Sequence, residues 1–338
     1  MTENDIVDVV IIGGGPAGLS AALYCARDQY KTVVLEKNGL PGGQIMLTER
    51  IENYPGFERI SGPDLVAGMT RQVERFGATV ATGQSADGIV RRDDDLLEVR
   101  VNEGEITHLA KAVILAPGSE YRQLGVPGEA EMRQATKVSY CATCDGAFYR
   151  GKHVLTVGGG NTAVEDTIYL ATRFTGRITM IHRREEFRAQ RVLVDELMEL
   201  APKKNIDVKL PYVLERIVPT ADKSDIDHAV LRNVKTGQTE DLRVDGIFVF
   251  VGMVPNTNWL RGVVAMNKDG YIACDPVTLK TNLPGVFVVG DCRQQAAMQL
   301  ATACGDGVAA ALMLKDYFRN PKLWKPAKPS HESSEQGW

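Results

Sequence analysis

Little cysteine, no apolar run of membrane length and no basic block characterise this chain, and each absence narrows what it can be. Six cysteines (positions 25, 141, 144, 274, 292 and 304) are too few to staple a fold of 338 residues. Stability must come from hydrophobic cores, and a close cysteine pair in a reducing compartment reads as catalytic or metal-binding rather than structural. No apolar stretch approaches the roughly 18–20 residues that cross a bilayer. The first strand opens almost at once, at Val7 to Ile12, without the basic start and apolar core of a secretion signal. A cytoplasmic protein with no membrane partner is expected. The net charge of −4 comes with no strongly basic segment, which disfavours nucleic acid as a partner. There is one Cys-x-x-Cys, the other cysteines are scattered, and His153 and His182 have places of their own. That falls short of the four ligands of a zinc site, so no metal is expected.

What is present is an ordinary globular composition, 44% apolar and 24% charged, in a chain long enough for two domains. A βαβ pattern occurs twice. In the first copy a buried strand ending at Ile12 leads into Gly13-Gly14-Gly15-Pro16-Ala17-Gly18, a helix over 17–27 and a second strand ending at Glu36. In the second, a strand over 153–157 leads into Gly158-Gly159-Gly160-Asn161-Thr162, a helix over 162–174 and a strand over 177–181 ending at His182-Arg183-Arg184. Alternating stretches over 79–108 and about 206–250 predict antiparallel meanders, and an alanine-rich helix is expected over 299–318. The fold class is therefore α/β: two Rossmann-like, three-layer ββα nucleotide-binding domains, the second inserted into the first. Residues 1–120 and 249–318 form the outer domain, 121–248 the inserted one, and 319–338 a mobile tail.

A strand, a glycine turn and a helix let backbone amides approach a pyrophosphate at a helix N-terminus. The residue ending the second strand then selects the ribose. Glu36 accepts from ribose hydroxyls and repels a 2′-phosphate, so the first site, with Gly13, Gly15, Pro16, Ala17 and Gly18, suits FAD or NAD. His182, Arg183 and Arg184, with Arg188 nearby, favour a 2′-phosphate. The second site, with Gly158, Gly160, Asn161 and Thr162, is assigned to NADPH.

Between the loops lies Cys141-Ala-Thr-Cys144-Asp145. The spacing holds two sulfurs within bonding distance. One thiolate can accept electrons while the other attacks a partner disulfide, and Asp145 is a candidate proton donor and acceptor if burial tunes it.

These strings, together with Gly42-Gly43-Gln44, Glu52-Asn53-Tyr54-Pro55-Gly56, Phe187-Arg188-Ala189 and Gly290-Asp291, occur in family order over about residues 8–315. The sequence resembles the low-molecular-weight, bacterial-type thioredoxin reductases. The resemblance implies FAD, NADPH as donor, thioredoxin as acceptor and a homodimer. It further implies that Gly43, Gln44 and Asn53 lie along the flavin, with Gly118, Gly290 and Gln299 in the same site, and that Asp291 holds the ribityl and phosphate region. Cys144 would face the flavin ring, Cys141 would exchange with thioredoxin, and Asp145 would be the acid/base. Two departures stand out. Ala116-Pro117-Gly118 replaces the family's Ala-Thr-Gly, and Met298-Gln299-Leu300 replaces Arg-Gln-Ala. The lost cation implies a lower flavin potential or an altered contact between domains. Because dithiol and NADPH loop share one domain and the flavin sits on the other, the inserted domain is expected to swing on connections near 119–126 and 246–254. The alternative weighed is a reductase of the same architecture serving another protein or small-molecule disulfide.

Overall fold

Val9, Val10 and Ile11 are completely buried, as befits a strand covered on both faces; they belong to β1 (Ile6–Ile12). The computed structural model describes residues 6–48 and 50–324. The chain divides into two compact units, one running to Glu120 and resuming at Val254, the other spanning Tyr121–Met253.

In the outer unit, β2 (Thr32–Glu36), β3 (Thr79–Thr82) and β6 (Ile106–Leu115) continue the sheet around β1 in the parallel order β3-β2-β1-β6. The first half of β6 carries an antiparallel partner, β5 (Leu97–Val101), which leads on to β4 (Ala86–Arg91). Its second half pairs in parallel with β17 (Val286–Val288). The meander expected over 79–108 therefore starts only at β4. Thr79–Thr82 runs parallel to β2 because α2 (Gly62–Arg75) supplies the crossover a parallel strand requires. Side chains alternate across the sheet. Val9, Ile11, Ile114 and Phe287 pack under α1 (Pro16–Arg27) and α7 (Leu300–Arg319). Val10, Ile12, Val113 and Leu115 pack with Leu97 and Val99 of the meander. The two helices lie very close: a Cβ on Gly307 would sit 2.2 Å from the carbonyl oxygen of Ala17.

The inserted unit repeats the pattern. β9 (His153–Gly158), α5 (Asn161–Arg173), β10 (Arg177–Ile181), α6 (Arg191–Leu200) and β11 (Ile206–Lys209) form a βαβαβ run. Its parallel sheet has the order β11-β10-β9-β15-β8, with β15 at Gly246–Phe250 and β8 at Val138–Ser139. A separate antiparallel sheet holds β12 (Tyr212–Pro219), β13 (Ile226–Asn233) and β14 (Thr239–Leu242). Two short helices, α3 (Glu129–Gln134) and α4 (Ala142–Asp145), flank β8.

Two boundaries differ from expectation. The return to the outer unit falls after Met253 rather than after 248, because Val249 and Phe250 complete β15 against Val157 and Gly158. Residues 319–324 are not tail either. Trp324 packs edge-on against Phe287 and Tyr317 and donates from Nε1 to Thr281 O at 3.3 Å. Residues 325–338 of the expected tail lie outside the described residues.

The two connections, β7 (Ser119–Tyr121) and β16 (Met253–Pro255), pair as a two-stranded ribbon. On the outer side, Asn256 donates from its backbone to Gly118 O (3.0 Å) and from Nδ2 to Pro117 O (3.1 Å). On the inner side, Arg122 N donates to Gly252 O at 3.0 Å.

Candidate active site

In the outer unit β1, β2, β6 and β17 all run the same way, so their C-terminal ends meet at one edge, where open α/β sheets bind ligands. Gly13 there has φ +113°, and a Cβ would stand 2.1 Å from Ala116 O. A Cβ on Gly18 would stand 1.9 Å from Gly13 O. Both positions require glycine for the close approach of backbone segments. Nothing lies within 4 Å of a Cβ built on Gly15, so the turn presents an open cradle. Pro16 opens α1 with its fixed φ and no N–H to satisfy. Glu36 is almost completely buried. It accepts from Gly14 N (2.9 Å), Asn38 N and Asn38 Nδ2 (both 2.8 Å). Two carboxylate oxygens offer about four acceptor positions, so capacity remains for a ribose hydroxyl.

The other predicted residues gather at the same edge. A Cβ on Gly43 would fall 3.7 Å from Gly15 Cα, and one on Gly290 3.1 Å from the Cβ of Ala17. Gln44 Nε2 donates to Ser119 O, next to Gly118. Asn53 Nδ2 lies 3.5 Å from Gln299 Oε1, at the cap of α7. Asp291 accepts no hydrogen bond among the described residues; burial and the nearby charge of Asp306 lift its carboxyl to about 6. A carboxylate with free acceptors beside glycine amides fits the hydroxyl-rich ribityl chain and pyrophosphate of FAD. Two residues that motif reading passes over hold this loop. Asp306 on α7 accepts from Gly290 N (3.0 Å) and pairs in bidentate fashion with Arg293 (2.7 and 3.0 Å), both side chains largely buried. A charged residue inside the alanine-rich α7 was the one available signal. Met298 has φ +51° just ahead of the Gln299 cap.

In the inserted unit Gly158 ends β9, and a Cβ there would strike Phe250 O at 2.5 Å; one on Gly160 would meet nothing within 4 Å. The segment after β10 is tied back over this loop: Arg188 N donates to Gly159 O (2.7 Å) and Gln190 N to Asn161 Oδ1 (2.8 Å). Arg188 is thereby carried to the same end of the sheet as Arg183 and Arg184. All three arginines are exposed, and none forms an ion pair among the described residues. Thr162 is exposed on the first turn of α5. His182 is buried, stacks on Phe187 at 5.8 Å, and its Nε2 has no hydrogen-bond partner. Desolvation, then the arginines, hold its pKa below the ordinary value. An orphaned buried nitrogen amid unpaired guanidinium groups fits a phosphate-bearing ligand.

Cys141 and Cys144 are joined as a disulfide with Cα atoms 5.3 Å apart. Cys141 caps α4: its Sγ accepts from Cys144 N at 3.2 Å and lies 3.4 Å from Thr143 Oγ1. Cys144 is exposed. Asp145 accepts from Ser139 Oγ at 2.6 Å. Burial raises its pKa and the serine bond pulls it partly back. Ser139 was not foreseen, because nothing near it in sequence marks it. Glu129 was also missed. Its buried carboxylate accepts from Leu124 N (3.0 Å), Gly125 N (2.7 Å) and Tyr140 OH (2.8 Å), tying the incoming connection to the residue before Cys141. Among the described residues no cluster of metal-ligating side chains occurs and no helix is long and apolar enough to cross a membrane. The remaining cysteines 25, 274, 292 and 304 are free thiols whose pKa burial raises.

Residues 7–307 match the family model described as pyridine nucleotide-disulphide oxidoreductase. The thioredoxin reductase of Bacillus subtilis is 38% identical over 94% of this chain and 96% of its own length. Among solved structures, the thioredoxin reductase of Streptococcus pyogenes superposes with a TM-score of 0.86 at 38% identity, covering 94% of this chain and 99% of that one. The Lactococcus lactis thioredoxin reductase in its "FR conformation" gives 0.61 at 39% identity, covering 92% and 98%.

Proposed function

The chain belongs to the pyridine nucleotide-disulphide oxidoreductase family and is an oxidoreductase, and we propose that it carries electrons from NADPH through bound FAD to the Cys141–Cys144 disulfide and on to thioredoxin. The observation that carries this reading is the shared unit. A disulfide, a partly buried acid held by Ser139, and three arginines unpaired among the described residues beside a glycine loop all lie within Tyr121–Met253.

Gly13, Gly15, Gly18, Glu36, Gly43, Gln44, Asn53, Gly118, Gly290, Asp291 and Gln299 would hold FAD, which when bound would supply two-electron chemistry between nicotinamide and disulfide. The chain's own residues do the rest. Arg183, Arg184, Arg188 and His182 bind the adenosine 2′-phosphate, while Gly158, Gly160, Asn161 and Thr162 receive the pyrophosphate. Cys144 takes the electrons. In the reduced protein the Cys141 thiolate is favoured by the N–H of Cys144 and the Thr143 hydroxyl. Its sulfur attacks one sulfur of the thioredoxin disulfide, forming a mixed disulfide and releasing one thiolate, which Asp145 protonates. Cys144 then attacks Cys141 Sγ, restoring the intramolecular disulfide and freeing thioredoxin in its dithiol form.

Access of both nicotinamide and dithiol to one flavin calls for a swing of the inserted unit. Local contacts narrow the part of the connections near 119–126 and 246–254 that could serve as the pivot. β15 occupies 246–250, Glu129 fixes 124 and 125, and Gly128 is wedged against Ile217 O, leaving 119–123 and 251–255. A cytoplasmic homodimer completes the reading. Anaerobic titration of the yellow protein with NADPH, with and without thioredoxin, tests it. The flavin should bleach with NADPH and recover only on adding oxidised thioredoxin. A Cys144→Ser variant that still regenerates dithiol thioredoxin at full rate would overturn the reading.

A further inference from the structure

Ser139 stands on the edge strand β8, opposite Phe248 of β15, and its side chain is buried. Its hydroxyl oxygen has three neighbours. Asp145 Oδ2 lies at 2.6 Å, Cys141 N donates to it from 3.2 Å, and Cys141 O lies at 3.3 Å. A hydroxyl carries one hydrogen and can accept two, so that hydrogen can serve only one of the two acceptor oxygens at a time. Resting on the acid/base reading of Asp145 above, we propose that Ser139 is a positioning residue for the exchange. Its hydroxyl turns between Asp145 Oδ2 and Cys141 O, so that the carboxyl keeps a partner in both protonation states.

With the carboxyl ionised, Ser139 Oγ–H donates to Oδ2 over the short distance. With the proton on Oδ2, the carboxyl O–H donates back to Oγ, and the serine hydrogen rotates to Cys141 O. The Cys141 N–H bond to Oγ persists in both arrangements. Only hydrogens move, no buried polar atom is orphaned, and the proton lent to a leaving thiolate costs no rearrangement of the backbone that holds Cys141. Without the hydroxyl, the ionised carboxylate loses the one side-chain donor it has among the described residues, and desolvation acts unopposed.

Other titratable groups surround Asp145. Tyr149, in the next turn, donates to Thr136 O and lies under Lys152; Asp225, paired with Lys137, and Asp245 act on that tyrosine; Glu165 and Asp166 lie on α5, which packs against α4. The two cysteines join them once reduced. The test must therefore identify the Asp145 titration by its own variant.

The experiment follows reoxidation of the NADPH-reduced holoenzyme by oxidised thioredoxin across pH, in the wild type, Asp145→Asn, and the isosteric pair Ser139→Thr and Ser139→Val. Flavin reduction by NADPH is recorded alongside, to establish that each variant takes up both nucleotides. Asp145→Asn should abolish one limb of the profile. Ser139→Val should move that limb to higher pH by about one unit, the size of one hydrogen bond to a charged group, and Ser139→Thr should leave it in place. Ser139→Ala replaces the valine variant if the larger side chain prevents folding. A limb at the same pH in the Thr and Val variants overturns the proposal while leaving Asp145 its role. A limb that survives Asp145→Asn overturns the acid/base reading itself.

Discussion

Replacing Arg183 and Arg184 together by alanine separates a phosphate-reading site from a merely solvated basic turn. The guanidinium groups are exposed and unopposed by acid among the described residues, so any energy they contribute is directed at a ligand. A hydrogen bond to a charged group contributes about 1.5–3 kcal/mol. Solvent and salt favour the lower figure at an exposed site. Two such bonds lost come to about 3 kcal/mol, roughly a hundredfold at 1.4 kcal/mol per decade. The KM for NADPH should rise by about that factor while kcat falls little, since uniform binding is lost rather than transition-state binding. The KM for NADH, which lacks the 2′-phosphate, should change less than about threefold on the same reasoning. Raising ionic strength should weaken NADPH binding in the wild type and much less in the variant. Initial rates with both nucleotides at two salt concentrations suffice. An equal rise for NADH and NADPH would refute the assignment and recast the arginines as supports of the β10–α6 turn.

Four further outcomes are expected. Gly18→Ala should give protein that purifies with little or no bound flavin by absorbance, because the new Cβ would fall 1.9 Å from Gly13 O and push the turn apart. Asp306→Asn should leave folding largely intact but weaken FAD retention by about tenfold in equilibrium dialysis, having halved the grip on Arg293 and Gly290 N. Trp324→Ala should lower stability by about 2 kcal/mol in urea titration, the loss of a half-buried ring from the Phe287–Tyr317 cluster. Asp166 is the pH prediction. Burial raises its carboxyl from 3.8 to about 7, so the folded state binds the proton more tightly than the unfolded chain. Its contribution is full below about pH 4 and lost as pH rises toward 7. Asp166→Asn should therefore stabilise the protein at pH 8 and not at pH 4 in parallel denaturant titrations, and equal effects at both pH values would count against it.

The repeated βαβ units were legible because local chemistry dictates them. A run such as Val9–Ile12 can only be covered on both faces, and glycines at 13 and 18 or at 158 announce a turn no other residue could make. Glu36, the last residue of β2, and Arg183, two residues past β10, stood out as the acidic and basic counterparts in the two copies of the pattern. What escaped reading depends on residues distant in sequence. β3 joins the parallel sheet because α2 is long enough to bring the chain back, a tertiary outcome that overrides an alternating pattern. Asp306 reaches Gly290 from another element, and Asn256 reaches Pro117 across the whole inserted unit. Ser139 is close in sequence to its partners, yet a serine two residues before a cysteine has no distinguishing pattern; its role comes from the edge strand that turns it toward Asp145.

The bonds from Asn256 to Pro117 and Gly118 mean that the outer fold leaves and re-enters its own surface at a single point, and Arg122 and Gly252 do the same for the inner one. Each unit thus has both of its cut ends within a hydrogen bond of one another. Deleting 121–253 and bridging the gap with a short glycine turn would close a very small loop, at little entropic cost. The inner segment could equally be re-circularised or transplanted. The molecule is in this sense a host carrying a detachable cassette, and a gene encoding either part alone should yield a folded product.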